Sequence, residues 1–347
     1  MVDKYLDCLE LECVLRERLY GKLSVDTVFV GGGTPSLLSS QHLDRLGHII
    51  RSHFDLAPVT EFTFESNPGT LSSDKLDSMR AIGANRLSMG LQSSDDELLS
   101  SLGRIHDRKT FEQCYHMARL AGFDNISIDM MFGLPGQTVQ SVERDIDYLI
   151  ELAPEHISAY SLMIDPDTPL EQMLDQGSLT LPDEEAERQM YYTYRRRLAQ
   201  AGYLQYEISN WSRPGMRSTH NVRYWRDRDY LGLGPAAHSL MLEYRFGNPE
   251  SLEIWSEALM AGRGPAIVHE VRSIPNHMSE YMFTGLRMLD GIQFDSFRET
   301  FGCSLDEAYP GVVDKLVDRG LLSRDQLGIR LTDLGLDLAN QVFMEFV

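Results

Sequence analysis

The chain is short of cysteine and of positive charge. Four cysteines, at positions 8, 13, 114 and 303 of 347 residues, are too few and too scattered for a disulfide framework, and they fit a reducing compartment. Against 52 acidic side chains stand 32 Lys plus Arg, a formal net charge of −20. Nucleic-acid binders draw their affinity from Lys and Arg that neutralise phosphates, so this balance argues against nucleic acid as a partner. Long hydrophobic runs are also lacking. The longest apolar stretches, such as 126–134 and 157–164, fall well short of the roughly 20 residues that span a bilayer, so no transmembrane segment is expected. The N-terminus sets Asp3, Asp7, Glu10 and Glu12 among its leucines, unlike the basic start and unbroken apolar core of a signal peptide. Together these absences predict a cytoplasmic protein.

What is present reads as a folded globular chain, 42% hydrophobic and 24% charged, and longer than one hydrophobic core usually spans. Between residues 25 and 162 one pattern recurs: a short β-rich run, a Gly or Pro turn, then an amphipathic stretch of helical length. It predicts strands at 27–30, 61–65, 86–89, 126–130 and 156–162, each apolar enough to be buried on both faces, as parallel strands are. Helices are predicted at 40–54, 73–82, 110–121 and 139–152, with Ser, Thr or Asp at their starts. The fold class is therefore α/β, a (β/α) barrel whose chemistry sits on loops past the strands' C-terminal ends. The first element is instead a helix over 5–19, with no strand before it to pair with 27–30. A buried strand edge left unpaired costs stability, so the first βα strand is missing or supplied elsewhere. The organisation expected is a partial barrel with an extension over 1–240, a connecting segment over 241–275, and a winged-helix-like module over 276–347. That module holds a hairpin at 320–323 and 328–332, and its excess of acidic side chains speaks against DNA binding.

Candidate ligand-binding residues fall at the strand ends. Gly31, Gly32 and Gly33 precede Thr34 and Pro35 between a strand and a helix; missing side chains let a ligand approach the backbone, although a tight βα turn would look similar. No lysine follows, as a nucleotide-binding P-loop requires. Glu65, Gln92, Arg104 and Asp129 lie at or just past strand ends, where complementary charges can hold a zwitterion, though each taken singly reads as a surface or cap residue. Asp129 stands out because a charge closing an apolar run is costly to bury alone. His220, with Tyr224 and Trp225 one turn on, reads as a hydrogen-bonded surface histidine or as a metal ligand beside aromatic rings. His106, His156 and His238 are alternatives.

The segments GGGTPS (31–36), ESNPGT (65–70), NRLSMGLQS (85–93), LGRIH (102–106), ISIDMMFGLPGQT (126–138), HISAYSL (156–162), YEISN (206–210), HNVRYW (220–225) and YLGLGPAAHS (230–239) resemble, in this order, the HemW and coproporphyrinogen-oxidase-like radical S-adenosylmethionine (SAM) proteins. The resemblance covers nearly the whole chain. It implies a radical SAM barrel in which Gly32, Gly33 and Thr34 contact the methionyl end of SAM and Glu65, Gln92, Arg104 and Asp129 complete its pocket. HNVRYW with YEISN resembles the haem-chaperone branch, where this motif is associated with haem binding. The function so implied is a haem chaperone that passes haem to an acceptor protein. The alternatives are an oxygen-independent coproporphyrinogen III oxidase of porphyrin biosynthesis and a cluster-free SAM- or haem-binding remnant.

The sequence departs from the family at one place. Its [4Fe–4S] cluster is held by CxxxCxxC after the first strand, and no such motif occurs here. Cys8 and Cys13 lie about 140° apart around a helix at ~100° per residue and do not face one iron. The expectation is an upstream start that adds the strand and the cluster loop, in preference to a natural cluster-free descendant. As written, the chain is not expected to cleave SAM.

Overall fold

The computed structural model describes the backbone of residues 1–347 and the side chains of all but 58–60 and 169. The chain runs α1 (Val2–Tyr20), β1 (Leu23–Val30), α2 (Ser40–His53), β2 (Phe54–Ser66), α3 (Ser73–Ala81), β3 (Arg86–Gln92), α4 (Asp96–Ser101), α5 (Arg108–Leu120), β4 (Ile126–Phe132), α6 (Val139–Leu152) and β5 (His156–Ser161). After α7 (Pro169–Asp175) and α8 (Glu184–Gln200), β6 (Leu204–Glu207) and β7 (Asn210–Ser212) extend the same sheet. Its order is β1-β2-β3-β4-β5-β7-β6. β1 to β5 pair in parallel, whereas β7 runs antiparallel to β5. The extension past the βα repeats therefore closes part of the sheet with a hairpin and not with another βα unit.

Local chemistry starts the helices where the sequence predicts. The Ser39 hydroxyl accepts from His42 N to cap α2, whose Leu43, Leu46, Ile49 and Ile50 form its buried stripe. Thr138 and Ser141 cap α6 reciprocally. The strands correct one expectation. They are not apolar on both faces: Phe62, Phe64, Leu87, Met89, Leu91, Ile126, Ile128, Met130 and Ile157 point outward into the core under the helices. The alternate residues Glu61, Thr63, Glu65, Arg86, Ser88, Ser127, Asp129, His156, Ser158 and Tyr160 line the inside. A period of two puts successive side chains on opposite faces, so the barrel is hydrophobic outside and polar within.

β1 is the edge strand of the described sheet, and none of its residues is fully buried, in contrast to the nearly fully buried β3. This is the open, incomplete barrel that the early helix predicts. α1 packs on α2 and on α10 (Leu252–Met260).

Residues 219–347 build two further layers. α9 (Thr219–Trp225) leads to an antiparallel sheet of β8 (His238–Met241), β9 (Tyr244–Gly247) and β10 (Ile267–Val271), ordered β10-β9-β8. The stretch 241–275, expected to connect, is thus structured: it carries β9, α10 and β10, and its Trp255 is fully buried in the barrel-side core. Beyond it, α11 (Ile274–Gly285) and short helices surround the sheet of β11 (Ile292–Gln293), β12 (Leu322–Arg324) and β13 (Gly328–Leu331), with a separate core built on Met282, Phe297, Leu316 and Ile329. Among the described residues no helix is long and apolar enough to cross a membrane.

Candidate functional site

The loops after β1 and β2 are laced into one wall. The Ser36 hydroxyl bonds that of Thr70 at 2.6 Å and accepts from Asn67 N at 3.0 Å. Lys75 ties both loops through the carbonyls of Ser36, at 2.7 Å, and Thr70, at 2.9 Å. On this wall Gly32 (φ 81°) and Gly33 (φ 61°) take left-handed conformations, strained for other residues, and a Cβ at either would meet nothing within 4 Å. Their backbone therefore faces open space. Glu65 accepts from Gly32 N at 3.0 Å. Gly31 is required for that contact, since a Cβ there would stand 2.9 Å from the Glu65 carboxyl and 2.5 Å from the Phe29 ring. Thr34 lies half-buried at the start of the short 3-10 turn Pro35–Leu37.

Gln92, Arg104 and Asp129 meet around a residue the sequence reading passed over, Tyr160. The phenol donates to Gln92 Oε1 at 3.3 Å. Its pKa is pushed up to about 12, mainly by burial and then by Asp129, with Arg104 and Glu65 also acting on it. The Arg104 guanidinium has no hydrogen bond or ion pair among the described residues, nor does the buried Asn67 Oδ1 have a partner. Asp129 accepts from Ser88 at 2.9 and 3.1 Å and from Ser127 at 3.3 Å. Burial nonetheless raises its pKa, as it raises that of Glu65. The result is two carboxylates and one arginine without an ion pair among the described residues, all three acting on the Tyr160 phenol. Tyr160 was legible only through its alternation with His156 and Ser158 on the inner face.

Gln92 is held at φ 72°, a left-handed conformation that costs an L-residue about 1–2 kcal/mol and that is found where structure over-determines a functional side chain. Its amide folds back over Gly90, where a Cβ would sit 2.7 Å from Gln92 Nε2. Gly90→Ala is therefore expected to swing the Gln92 amide aside while leaving the thermal midpoint near that of the wild type. A ligand titration should then show weaker binding at this wall, and undiminished affinity would remove Gln92 from it.

The floor of the barrel is also bonded. His156, fully buried, bonds Ser127 through Nδ1 and Tyr206 through Nε2, both at 2.8 Å. Burial and then the nearby Arg86 charge drive its pKa well below the imidazole range, and with no exposed surface it is closed to a porphyrin, unlike the half-buried His220. His106 is buried against the Leu91 carbonyl at 3.4 Å. Glu61, on the inner face of β2, caps α9 by accepting from Thr219 N at 2.8 Å and His220 N at 3.0 Å. His220 thereby lies against β1: Nδ1 meets Thr27 Oγ1 at 2.9 Å, Nε2 meets the Tyr224 hydroxyl at 3.1 Å, and the ring stacks on Phe29. Burial lowers its pKa. Tyr224 packs edge-on against Tyr230, and Arg287 covers the Trp225 indole at 4.5 Å. The three residues thus share a helix but do not form an open slot.

The residues present do not fit a [4Fe–4S] cluster. Cys8 and Cys13 are buried under α1, Cys114 is buried in α5, and Cys303 lies in the C-terminal layer; burial pushes the Cys13 thiol up to about 12, away from the thiolate a metal needs. Among the described residues no three His, Cys, Asp or Glu converge as metal ligands. The donor set is chemically compatible with SAM, since carboxylates can pair with an ammonium or hydroxyls and an arginine with a carboxylate.

A parallel-sheet barrel with a polar interior and a glycine-lined wall past β1 defines the radical SAM class of protein. Residues 9–149 match the Radical SAM superfamily, and residues 274–338 match the HemN C-terminal domain. Over its whole length the chain is 38% identical to the haem chaperone HemW of Bacillus subtilis, covering 92% of that protein. It is 36% identical to haem chaperone HemW of Lactococcus lactis, covering 90% of it. The chain belongs to the HemW family. The solved structure of coproporphyrinogen III oxidase (HemN) from Escherichia coli superposes with a TM-score of 0.86 at 24% identity, over 99% of this chain and 83% of that one, which establishes the shared fold.

Proposed function

We propose that this protein is a haem chaperone, binding haem and handing it to an acceptor protein, with SAM held at the glycine-lined wall. The full-length identity to two HemW chaperones carries the reading. The site supports it in two places. At the wall, the open backbone of Gly32 and Gly33, with Thr34 after them, would take the methionyl end, and Glu65, Gln92, Arg104 and Asp129 would complete the pocket. SAM supplies a sulfonium centre when bound; the chain's own residues would orient it. No step is drawn through an iron–sulfur cluster.

At the other end, α9 carries His220, Tyr224 and Trp225 toward the haem. Its lowered pKa leaves His220 in the unprotonated form that ligates iron. Since both ring nitrogens are bonded, to Thr27 and Tyr224, iron must displace one of them: at Nδ1 the bond from α9 to β1, at Nε2 a bond within α9. Residues 276–347 act in this reading as the module that packs against α9 through α11. In this reading the protein works in the cytoplasm.

Titration with haem is the test. Wild type should develop a Soret band, and His220→Ala should shift that band and weaken affinity by about tenfold or more, the usual scale for losing a charge-assisted or coordinate contact. An identical Soret spectrum and affinity would take His220 out of the iron's coordination. Failure of the wild type to bind haem would remove the chaperone reading, and product formation from coproporphyrinogen would replace it with the oxidase.

A further inference from the structure

The middle sheet holds two histidines that neither the wall nor α9 uses. His238 on β8 and His269 on β10 flank Gly247 on β9, their ring centroids 5.6 Å apart and the planes inclined by 31°. Both are exposed, and neither ring makes a hydrogen bond or ion pair among the described residues. Three features of the backbone bring them together. Antiparallel pairing sets His238 directly opposite Gly247. On the other side the register of β10 slips between Val268 and Glu270, and the residue left out of the ladder by that bulge is His269. Bulges re-aim a side chain in this way and are often found beside functional sites.

The third feature is Gly247 itself. Its φ is not in the left-handed region, so its own backbone does not call for glycine. What calls for it is the space above it. A Cβ there would stand 2.7 Å from His269 Nε2 and 2.9 Å from His238 Nδ1, nearer than any real Cβ approaches. The two imidazole nitrogens thus flank one glycine, with no methyl group between them. Two neighbouring imidazole nitrogens, neither with a hydrogen-bond partner among the described residues, can close on one ion that stands beyond the Cβ position, at the about 2.0–2.1 Å of a ligating imidazole.

We propose that His238 Nδ1 and His269 Nε2 bind a single divalent ion of the late first-row transition metals, with the remaining positions open to water or a partner's side chain. Two imidazoles and no thiolate suit zinc, nickel or copper(II) over magnesium or calcium, which take oxygen ligands. The side-by-side placement favours a bare ion over haem iron. A porphyrin fills the four equatorial positions of its iron, so two histidines could share a haem only from opposite faces. The site is independent of His220 and of the chaperone reading.

The experiment uses the full chain without an affinity tag, freed of metal by chelation, and titrates it with Zn2+ by calorimetry. One ion should bind per chain. His238→Ala and His269→Ala should each weaken that binding by at least about tenfold, the scale on which metal affinity responds to its ligand sphere. Gly247→Ala should weaken it also, by placing its methyl group between the nitrogens. The two histidines are exposed, so their substitution should leave the thermal midpoint of the metal-free protein unchanged. Stoichiometric zinc binding that survives both histidine substitutions overturns the proposal, as does the lack of any stoichiometric binding. A Soret response lost in His238→Ala or His269→Ala would overturn it differently, by assigning the imidazoles to haem iron. A response lost only in His220→Ala leaves the two sites separate.

Discussion

Glu12→Ala should destabilise the protein by about 3–5 kcal/mol, the cost of removing one partner from a buried ionic network, as read from urea denaturation. Glu12 is fully buried, and all four of its contacts join α1 to other elements or to itself. Oε1 accepts from Arg16 at 3.1 Å and from Asn248 Nδ2 at 2.8 Å; Oε2 accepts from Gly234 N at 2.9 Å and from Trp255 Nε1 at 3.1 Å. Removing the carboxylate strands a buried guanidinium, an indole N–H and a backbone N–H at once, and an unsatisfied buried donor costs its full desolvation. Because Asn248 and Trp255 lie in the stretch around the middle sheet and α10, the loss should uncouple α1 from that layer. Trp255 fluorescence would then shift at lower urea than the far-ultraviolet signal of the barrel. Coincident transitions at the wild-type midpoint would show that this carboxylate does not hold the layers together.

Asp129→Asn is expected to act in two opposite directions. The carboxyl is raised by burial, with Ser88, Arg86, Ser158 and Ser127 offsetting only part of it. A raised carboxyl binds its proton more tightly in the folded chain than in the unfolded one. Its contribution to stability is therefore complete below the ordinary carboxylate value of about 3.9 and is lost as the pH climbs through the folded value. At neutral pH the ionised form is a burden, and the neutral amide should raise the melting temperature. That gain should shrink toward pH 4, where the wild-type carboxyl is protonated as well. SAM affinity should meanwhile fall by about tenfold to a hundredfold, the worth of a hydrogen bond to a charged group. A variant that is more stable yet binds SAM as well as the wild type would show that Asp129 does not touch the ligand.

Much of the site was readable because barrels put function at fixed places. Glu65, Gln92 and Asp129 could be picked out as polar residues closing apolar runs, and the glycines of 31–33 as an excess over what a turn needs. What escaped was whatever depends on the face a residue takes. Tyr160 reads as one more aromatic in an apolar run until the inner face of β5 is known, and Lys75 reads as a surface charge on a helix until its ammonium is seen between two loops. Glu61 begins a predicted strand, yet its role is to cap a helix more than 150 residues later in the chain.

The sequence by itself determined the βα repeats that make β1 to β5, the capped helices between them, the family, and the shortage of thiols for a cluster. Each of these is local in the chain: a β-rich run before a turn, a hydroxyl before a helix, an ordered set of motifs, a count. Only the tertiary structure decided that the strands' second face is polar, that both nitrogens of His220 are occupied, that the stretch 241–275 is a layer and not a link, and that His238 and His269 meet over Gly247. Those are decided by which distant segments pack together. Burial, hydrogen-bond satisfaction and the approach of two side chains are properties of pairs of residues, and a one-dimensional pattern carries no term for the pair.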